Sequence, residues 1–477
     1  MSNRKKLTLL DLVGLGIGQI IGSGIMILTG IAIGKTGHGV TWAFVVAGIV
    51  VAITNLCLAT LGSAIPSNGG MYTYVRDLIG RKTGFFYVAL LAAGQLVLAN
   101  YAIGFASYVQ DLVPGVNTTL IAGLMMTAIF VINLLGVKTA MLVQRVLVVI
   151  LVSSITLFVI LGLPRVTDYS AFVTPSKVLP EGFGAFVAAI FLVRFSIVGA
   201  EYINEFGDDS ENPGRNIPLA MIISTFVVTL VYLGVGIVAS GVLPIGDVAY
   251  QTLTAVAKQI FPTPIYYFFV IGGAMFALTS SLNAVFSWAP KGLEVAVKDG
   301  WLPRFLANTN KTFGTPHYLL IIFYVLGMIP IVTGGTMEII AVLGNNIGLI
   351  FAALPLTAVM ALPYKKPEAY ARAYFKFPRW AMIVAPTLCL AVFVGGFYSN
   401  IDFIGPMGMQ VLAVYCLLVT LYAFVRENYM YRHGLGHFAQ VKELNAQKAP
   451  QLENEQAAQE TTVLQDATVS HSATKEK

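Results

Sequence analysis

The stretch Gly16-Ile17-Gly18-Gln19-Ile20-Ile21-Gly22-Ser23-Gly24-Ile25 lies in the middle of the first long apolar segment. Each glycine destabilises a helix by about 1 kcal/mol relative to alanine, so this cluster predicts a break. In hydrocarbon, a broken helix is tolerated only where its freed N–H and C=O groups meet protein or line a cavity. A membrane helix broken at this depth therefore predicts a binding site, with amides for an anion and carbonyls for a cation. A zwitterion such as an amino acid carries both charges.

The composition indicates a membrane protein with many spans. Hydrophobic residues make up 57% of the 477 residues and charged residues only 11%, whereas a soluble domain has roughly 25% charged residues. A spanning helix needs about 20 apolar residues, and runs of this kind predict twelve spans. They lie near residues 8–34, 40–64, 83–110, 118–137, 142–163, 183–207, 217–243, 264–290, 316–333, 337–362, 379–399 and 403–425.

The distribution of basic residues predicts the orientation of the chain. Twelve spans put both termini on one side, and most of the 29 Lys and Arg residues fall on that side. Because positive charge concentrates in cytoplasmic loops, we expect both termini to be cytoplasmic and the protein to lie in the cell membrane. The net charge of +6 then reflects topology, and no nucleic-acid partner is expected. The exceptions are Lys35, Arg165, Lys177 and Lys258 on the opposite side and Arg194 inside a span.

The reactive residue types predict neither a metal site nor an enzyme. Cys57, Cys389 and Cys416 lie in apolar spans without metal or redox spacing, and the five histidines lie in connections or in the tail. No Ser/His/Asp set lies at membrane depth, so no catalytic residues and no cofactor are expected. Residues 1–432 are predicted to form one transmembrane domain. Residues 433–477 contain few bulky apolar side chains and are rich in Gln, Glu, Ala, Thr and Lys, and a disordered cytoplasmic tail is expected there.

A second glycine-marked interruption falls in the sixth predicted span, at Phe195-Ser196-Ile197-Val198-Gly199-Ala200-Glu201. Spans 1 and 6 each open a half of five spans. Interruptions at corresponding points of two halves indicate an inverted-repeat transporter with its site near the bilayer midplane. Either glycine cluster alone also fits a close helix–helix contact, since small residues are enriched at such interfaces.

Four further motifs follow the first break. They are Pro66 to Val75, Asn133 to Lys138, Asp209 to Pro218, and Lys298 to Phe305 followed by Gly314 to Pro316. In order and spacing, the five together resemble the amino acid–polyamine–organocation permeases over about residues 7–320, while residues 320–430 agree only in hydropathy. The resemblance implies an all-α, leucine-transporter-like fold with discontinuous helices 1 and 6. Spans 1–5 and 6–10 would form the inverted repeats, with spans 11 and 12 peripheral.

The first break supplies one half of the substrate site that the resemblance implies. The amides of Gly22, Ser23 and Gly24 begin the second half of span 1, and a helix N-terminus favours negative charge. We expect them to bind a carboxylate. The carbonyl of Ile20 resembles one of the family's acceptors for an α-ammonium group. Gln95 in span 3 aligns with a family position that contacts the substrate side chain, although interhelical hydrogen bonding explains such an amide as well.

The second break, in span 6, supplies the other half of the substrate site that the resemblance implies. The carbonyls of Phe195 and Val198 resemble further acceptors for the ammonium group. The Phe195 ring falls where the family often places an aromatic gate, and ordinary helix packing is the alternative. An intramembrane carboxylate costs about 2.5–3.5 kcal/mol and marks a functional site. Glu201 is therefore expected to bind a cationic side chain, to carry a proton, or to hold the break through backbone N–H groups.

Arg194 is unusual for the family at its position. It is expected either to snorkel or pair with Glu201, or to adapt the site to an acidic substrate.

The resemblance leaves the coupling ion open between Na⁺ and H⁺. Many relatives carry a lysine in span 5, and here Leu151 is the expected equivalent. Ser280 and Ser281 in span 8 carry hydroxyls of the kind that join span-1 carbonyls around sodium. Their alternative role is a hydrogen bond to their own helix backbone.

The function that these features predict is secondary active transport of an amino acid by alternating access, with the lipid bilayer as the surrounding partner. One alternative is a polyamine or amine antiporter in which Glu201 holds the second ammonium, although Arg194 disfavours a dication. The other alternative is a sensor on the same fold that binds an amino acid without moving it.

Overall fold

The computed structural model describes residues 6–335, 337–399, 401–433 and 435. Within these residues the chain forms α-helices joined by 3₁₀ turns and one π-helical segment, and β-structure is limited to two isolated bridges. The predicted tail at 433–477 lies outside the described residues apart from His433 and Leu435. The helices are α1 (Leu9–Ile20), α2 (Ser23–Thr36), α3 (Val40–Ala64), α4 (Gly70–Leu78), α5 (Arg81–Gly94), α6 (Leu98–Leu112), α7 (Thr118–Leu134), α8 (Val137–Gly162), α9 (Pro175–Val178), α10 (Gly182–Arg194), α11 (Pro213–Gly241), α12 (Ile245–Val248), α13 (Leu253–Ile260), α14 (Thr263–Phe268), α15 (Phe276–Lys298), α16 (His317–Thr333), α17 (Met337–Lys365), α18 (Pro367–Arg372), α19 (Ala381–Ser399) and α20 (Ile401–His433).

The first predicted span is broken at the glycine cluster. α1 ends at Ile20, both Ile21 and Gly22 have extended backbone, and α2 begins at Ser23. The first N–H groups of an α-helix have no partner from within the helix. At the start of α2 no side chain caps them either. The predicted break between Ile20 and Ser23 is therefore confirmed.

The start of α1 is capped and tied to a neighbouring helix. Thr8 and Asp11 form a capping box, in which the Thr8 hydroxyl donates to Asp11 Oδ2 at 2.8 Å. The other carboxylate oxygen of Asp11 accepts from Arg145 Nε of α8 at 2.6 Å. Asp11 thus satisfies N–H groups at the helix start, which is the usual role of an acidic residue in a first turn.

The sixth predicted span is broken as well. α10 ends at Arg194, a turn follows, and the chain continues as a 3₁₀ helix over Ala200–Glu205. Between them Gly199 has φ +146°, a conformation that glycine adopts without the steric cost of a Cβ. The interruption is confirmed, and its second half is 3₁₀-helical rather than α-helical.

Eight helical segments of the described chain are long and apolar enough to cross a membrane by length and composition. Four shorter apolar helices, α1, α7, α10 and α16, accompany them. Two of the four, α1 and α10, are short because each is one half of a broken span. The predicted boundary between the ninth and tenth spans is also found, since α16 ends at Thr333 and α17 begins at Met337.

The broken segments lie at the centre of the helix packing. α1 packs against α8, α11 and α15, whereas α2 packs against α10 and α3 against both α10 and α11. Small residues allow these close approaches, as is typical of membrane helices. A Cβ at Gly16 would lie 2.5 Å from Ser224 Oγ of α11, and one at Gly48 would collide with Thr229.

Candidate functional site

The two helix breaks meet. A Cβ placed on Gly24 of α2 would lie 2.6 Å from Ser196 Oγ in the second break. A Cβ placed on Gly199 would lie 2.9 Å from Gln19 Cγ and 3.1 Å from Ile20 N in the first. Glycine is required at both contacts because any larger residue would separate the two backbones.

A cavity of about 150 Å³ lies beside this contact. Its wall is formed by both breaks together with residues of α3, α5, α6, α15, α17 and α19. Most of the residues predicted for the site line it: Ile20, Gly22, Gly24, Gln95, Arg194, Phe195, Val198, Glu201 and Ser281.

The two remaining predicted residues lie next to the cavity. Ser23 is the first residue of α2, between two cavity-lining glycines. Ser280 lies beside Ser281 on α15 and donates to the carbonyl of Gly18. The structure therefore brings all the predicted site residues into one region of the molecule.

Backbone groups at the second break lie outside regular helix bonding. The carbonyl of Arg194 accepts from Ile197 N at 3.0 Å, and the next 3₁₀ bond begins at the carbonyl of Gly199, which accepts from Tyr202 N at 3.3 Å. The carbonyls of Phe195 and Val198 lie between these two points, in residues that also line the cavity. Such carbonyls are typical cation acceptors in broken membrane helices.

Aromatic side chains cover part of the wall, and sequence reasoning missed most of them. Tyr202 stacks on Trp288 with ring centroids 3.7 Å apart, and Trp288 Nε1 donates to Gln19 Oε1 at 2.9 Å. The cavity is also lined by Tyr101 and by Phe195, which is 39% exposed. These rings come from separate helices, so no local sequence pattern joins them. Gln19 lies inside the quoted glycine cluster, and its position there is the one signal that could have found it.

Four buried polar atoms of cavity-lining residues have no hydrogen-bond partner among the described residues: Ser196 Oγ, Gln95 Oε1, Asn55 Oδ1 and Arg194 Nε. The Gln95 side chain does donate from Nε2 to the carbonyl of Leu91 at 2.9 Å. Because unpaired buried polar atoms cost free energy, these atoms are suited to a bound polar ligand.

Glu201 is hydrogen-bonded to the backbone of its own break. Its Oε2 accepts from Gly199 N at 2.8 Å. This is one of the three roles expected for Glu201, and it fixes the carboxylate within the cavity wall.

Arg194 does not form the ion pair with Glu201 that one interpretation expected. Its guanidinium lies over the ring of Phe393 on α19, 4.5 Å from the centroid. In the described part of the chain the guanidinium of Arg194 forms neither a hydrogen bond nor an ion pair, and its Nε is buried without a partner. Arg194 therefore stands in the cavity wall as a cation whose neighbour is an aromatic face.

The hydroxyls predicted to meet span-1 carbonyls do so. Ser280 Oγ donates to the carbonyl of Gly18 at 3.0 Å, and Ser281 Oγ lies 3.3 Å from the same oxygen. Ser281 Oγ is also 3.5 Å from the carbonyl oxygens of Gln19 and Ile21. Three carbonyl and two hydroxyl oxygens thus form one cluster, and oxygens of this kind coordinate Na⁺ in broken-helix transporters. Among the described residues, no group of three or more His, Cys, Asp or Glu side chains is placed to hold a metal.

A network of side-chain amides extends from this cluster across three helices. Gln144 Nε2 donates to Ser280 Oγ at 2.9 Å, and Gln144 Oε1 accepts from Asn283 Nδ2 at 2.8 Å. Asn283 Oδ1 in turn accepts from Asn133 Nδ2 of α7 at 2.9 Å. The α8 side chains that face Gly18 are Gln144 and Val148, and Leu151, the expected match to the family lysine, is buried one turn after Val148. The sequence signal that could have identified Gln144 is the presence of a side-chain amide in an otherwise apolar helix.

One end of the bundle is closed by the predicted motifs. A Cβ at Gly70 would collide with the carbonyl of Asn204, and one at Gly207 would collide with Ser67 N. Glu205 Oε1 accepts from Met71 N at 3.1 Å. Backbone contact this close leaves no passage between the 66–75 motif and the second half of the broken sixth span.

Ion pairs hold the same end. Asp299 Oδ2 accepts from Tyr72 OH at 2.6 Å and from Arg76 Nη1 at 2.8 Å, which joins two motifs. Burial raises the pKa of the neighbouring Asp77, but hydrogen bonds from Lys366 and Arg76 outweigh burial and leave that pKa below its usual range. A carboxyl pKa that is lower in the folded than in the unfolded state stabilises the fold at neutral pH. This stabilisation is lost as the pH falls through the pKa of the folded state.

The sequence of the chain is similar to those of known permeases and transporters. A family model described as “Amino acid permease” matches residues 7–426. The methylthioribose transporter of Bacillus subtilis is 27% identical, over 81% of this chain and 87% of its own length. The branched-chain amino acid permease BcaP of Bacillus subtilis is 24% identical, over 82% of this chain and 88% of its own length. Large neutral amino acids transporter small subunit 2 of Mus musculus is 26% identical, over 76% and 71% respectively.

Proposed function

The chain belongs to the amino acid permease family, and from this premise we propose that it is a secondary active transporter of an amino acid that works by alternating access. The observation that carries the proposal is the meeting of two helix breaks at a cavity. Broken helices present the partial charges of free backbone N–H and C=O groups near the bilayer midplane, without an ionised side chain. An amino acid is the ligand whose two charged groups match the two kinds of freed backbone group.

The proposed pose follows from the backbone polarity. The carboxylate binds the amides at the uncapped start of α2, at Gly22, Ser23 and Gly24. The ammonium binds carbonyls of the breaks, at Ile20, Phe195 and Val198. Contacts of a charge with a helix terminus contribute about 0.3–1 kcal/mol at exposed sites and more when dry.

The proposed topology has twelve spans, with helices 1 and 6 discontinuous and the two five-span halves inverted. The eight long segments together with the four shorter apolar helices support this count. Both termini are proposed to be cytoplasmic. The closed end, where Leu7 N donates to the carbonyl of Asp209 at 2.8 Å, then faces the cytoplasm and forms the shut gate of this conformation.

The experiment is counterflow in liposomes. Purified protein would be reconstituted and tested with a radiolabelled panel of amino acids and polyamines, while sodium and pH gradients are varied separately. Saturable movement of an amino acid class supports the proposal. Movement of polyamines alone would favour the antiporter, and specific binding without movement under any gradient would favour the sensor.

For the coupling ion we propose Na⁺ at the oxygen cluster of Gly18, Gln19, Ile21, Ser280 and Ser281, with a proton as the alternative. The ion would draw the span-1 carbonyls towards α15 and so favour one conformation. Replacing Ser281 by alanine removes one oxygen and is expected to raise the sodium concentration for half-maximal uptake about tenfold, the effect of a 1.4 kcal/mol loss.

The matched control for this sodium test is Thr279→Val. Thr279 lies two residues away, and its hydroxyl donates only to the carbonyl of Met275 at 2.8 Å. Uptake by the control is expected to keep the sodium dependence of the unmodified protein. If uptake by the unmodified protein, by Ser281→Ala and by Thr279→Val is independent of sodium and depends on the pH gradient, Na⁺ is rejected as the coupling ion and H⁺ is favoured.

A further inference from the structure

Arg194 ends α10 at the second helix break and lines the cavity. Its guanidinium contacts the face of Phe393 at 4.5 Å. Within the described residues the guanidinium of Arg194 forms no ion pair, and its buried Nε has no hydrogen-bond acceptor. Arginine carries five donors in a planar fork, so most of its hydrogen-bonding capacity is unused here.

Arg194 is half-buried and its Nε is fully buried, and a cation in this position is costly unless it is paired. Removing a charge from water costs several kcal/mol even after relaxation. A cation–π contact returns about 2 kcal/mol when desolvated, which leaves much of that cost uncompensated. A membrane protein retains such a residue at a ligand cavity when a ligand supplies the missing charge.

Glu201 does not supply that charge through a direct contact. Its carboxylate oxygen accepts a hydrogen bond from Gly199 N at 2.8 Å, which stabilises the break. Arg194 and Glu201 are also the only Asp, Glu, Lys or Arg side chains among the described residues that line the cavity. Glu201 attracts Arg194 electrostatically but does not contact it, so the donors of the guanidinium remain available to an anionic group of the ligand.

We propose that Arg194 binds a carboxylate on the substrate side chain, so that the transported amino acids are acidic. The inference rests on the proposed function, which assigns the α-carboxylate to α2 and the α-ammonium to the break carbonyls. Both α-groups are then satisfied without Arg194, and a side-chain carboxylate matches the guanidinium fork in a bidentate pair. Phe393 acts as a positioning residue that holds the guanidinium plane from α19.

The test compares glutamate with glutamine, which differ in charge and hardly in shape. Reconstituted full-length protein would be assayed by counterflow with labelled glutamate, aspartate, glutamine, leucine and lysine. We expect uptake of glutamate and aspartate. Arg194→Gln is expected to lower the ratio of glutamate to glutamine uptake by at least about tenfold, whereas Arg194→Lys keeps part of it because it keeps the charge.

The control is Arg165→Gln. Arg165 lies in a connection, where its Nη1 donates to the carbonyl of Gln259 at 2.7 Å, and the ratio is expected to be unchanged. A purely structural role of Arg194 would lower the uptake of all substrates equally and leave the ratio constant, which overturns the inference.

The failure of this inference can be told apart from failure of the proposed function. If the protein takes up leucine or glutamine but not glutamate or aspartate, the proposed role of Arg194 is rejected and the proposed transport function is retained. If no amino acid moves, transport fails, and equilibrium binding of labelled glutamate to solubilised protein then decides the inference. Binding that depends on Arg194 supports it, and absence of binding rejects it.

Discussion

Replacing Gly24 by valine is expected to abolish substrate movement while the protein still folds and inserts. A Cβ at this position would lie 2.6 Å from Ser196 Oγ and 3.1 Å from Ser196 Cα, so the two breaks must separate. The same change crowds the amides proposed for the carboxylate. A displacement of about 1 Å at a binding geometry can cost about 100-fold in rate, and we expect at least that loss in counterflow.

The matched control for Gly24→Val is Gly14→Val. Gly14 lies in α1, and a Cβ there meets no atom within 4 Å. Both variants place a β-branched residue in the same broken span, so helix propensity is affected similarly. Equal amounts of monodisperse protein, with transport lost only in Gly24→Val, support the site. Equal transport by the two variants would contradict it.

Glu201→Ala is expected to have the second large effect. The carboxylate accepts from Gly199 N at 2.8 Å, and alanine leaves that buried N–H without a partner. An unsatisfied buried donor costs about 1–3 kcal/mol, which at this break deforms the carbonyls proposed for the ammonium. We expect counterflow to fall by at least about tenfold, the equivalent of 1.4 kcal/mol.

Glu201→Gln separates the roles that the sequence left open. Glutamine keeps an oxygen acceptor for Gly199 N and loses the charge and the proton. If the hydrogen bond is the role of Glu201, counterflow by Glu201→Gln remains near the unmodified level. If Glu201 carries a proton, counterflow remains and uptake driven by a pH gradient disappears. If it binds a cationic side chain, only uptake of lysine and polyamines disappears.

Local sequence properties predicted much of the fold. The two breaks, at Ile21 to Gly22 and around Gly199, follow from glycine clusters in apolar segments. Hydropathy also placed the boundary between α16 and α17. These features depend on residues that are neighbours in the chain, and for that reason a single sequence is enough to predict them.

The partners of the polar residues were less predictable. Gln144 and Val148 of α8 face Gly18 in the broken first span, and the register of α8 against α1 that brings them there is set by packing. The equivalence of Leu151 to the family lysine stays a prediction. Arg194 and Glu201 lie seven positions apart and were expected to be able to pair. The turn after α10 instead directs one side chain to Phe393 and the other to Gly199.

The sequence by itself determined that this is a helical membrane protein of the permease type, and it located the interruptions in two of its predicted spans. The tertiary structure alone decided which side chains surround those groups. Trp288 bonds to Gln19 across 269 positions, and Arg194 meets Phe393 on a helix near the far end of the chain. The physical reason is that propensity and hydropathy act between neighbouring residues, while contacts between helices depend on their register and crossing.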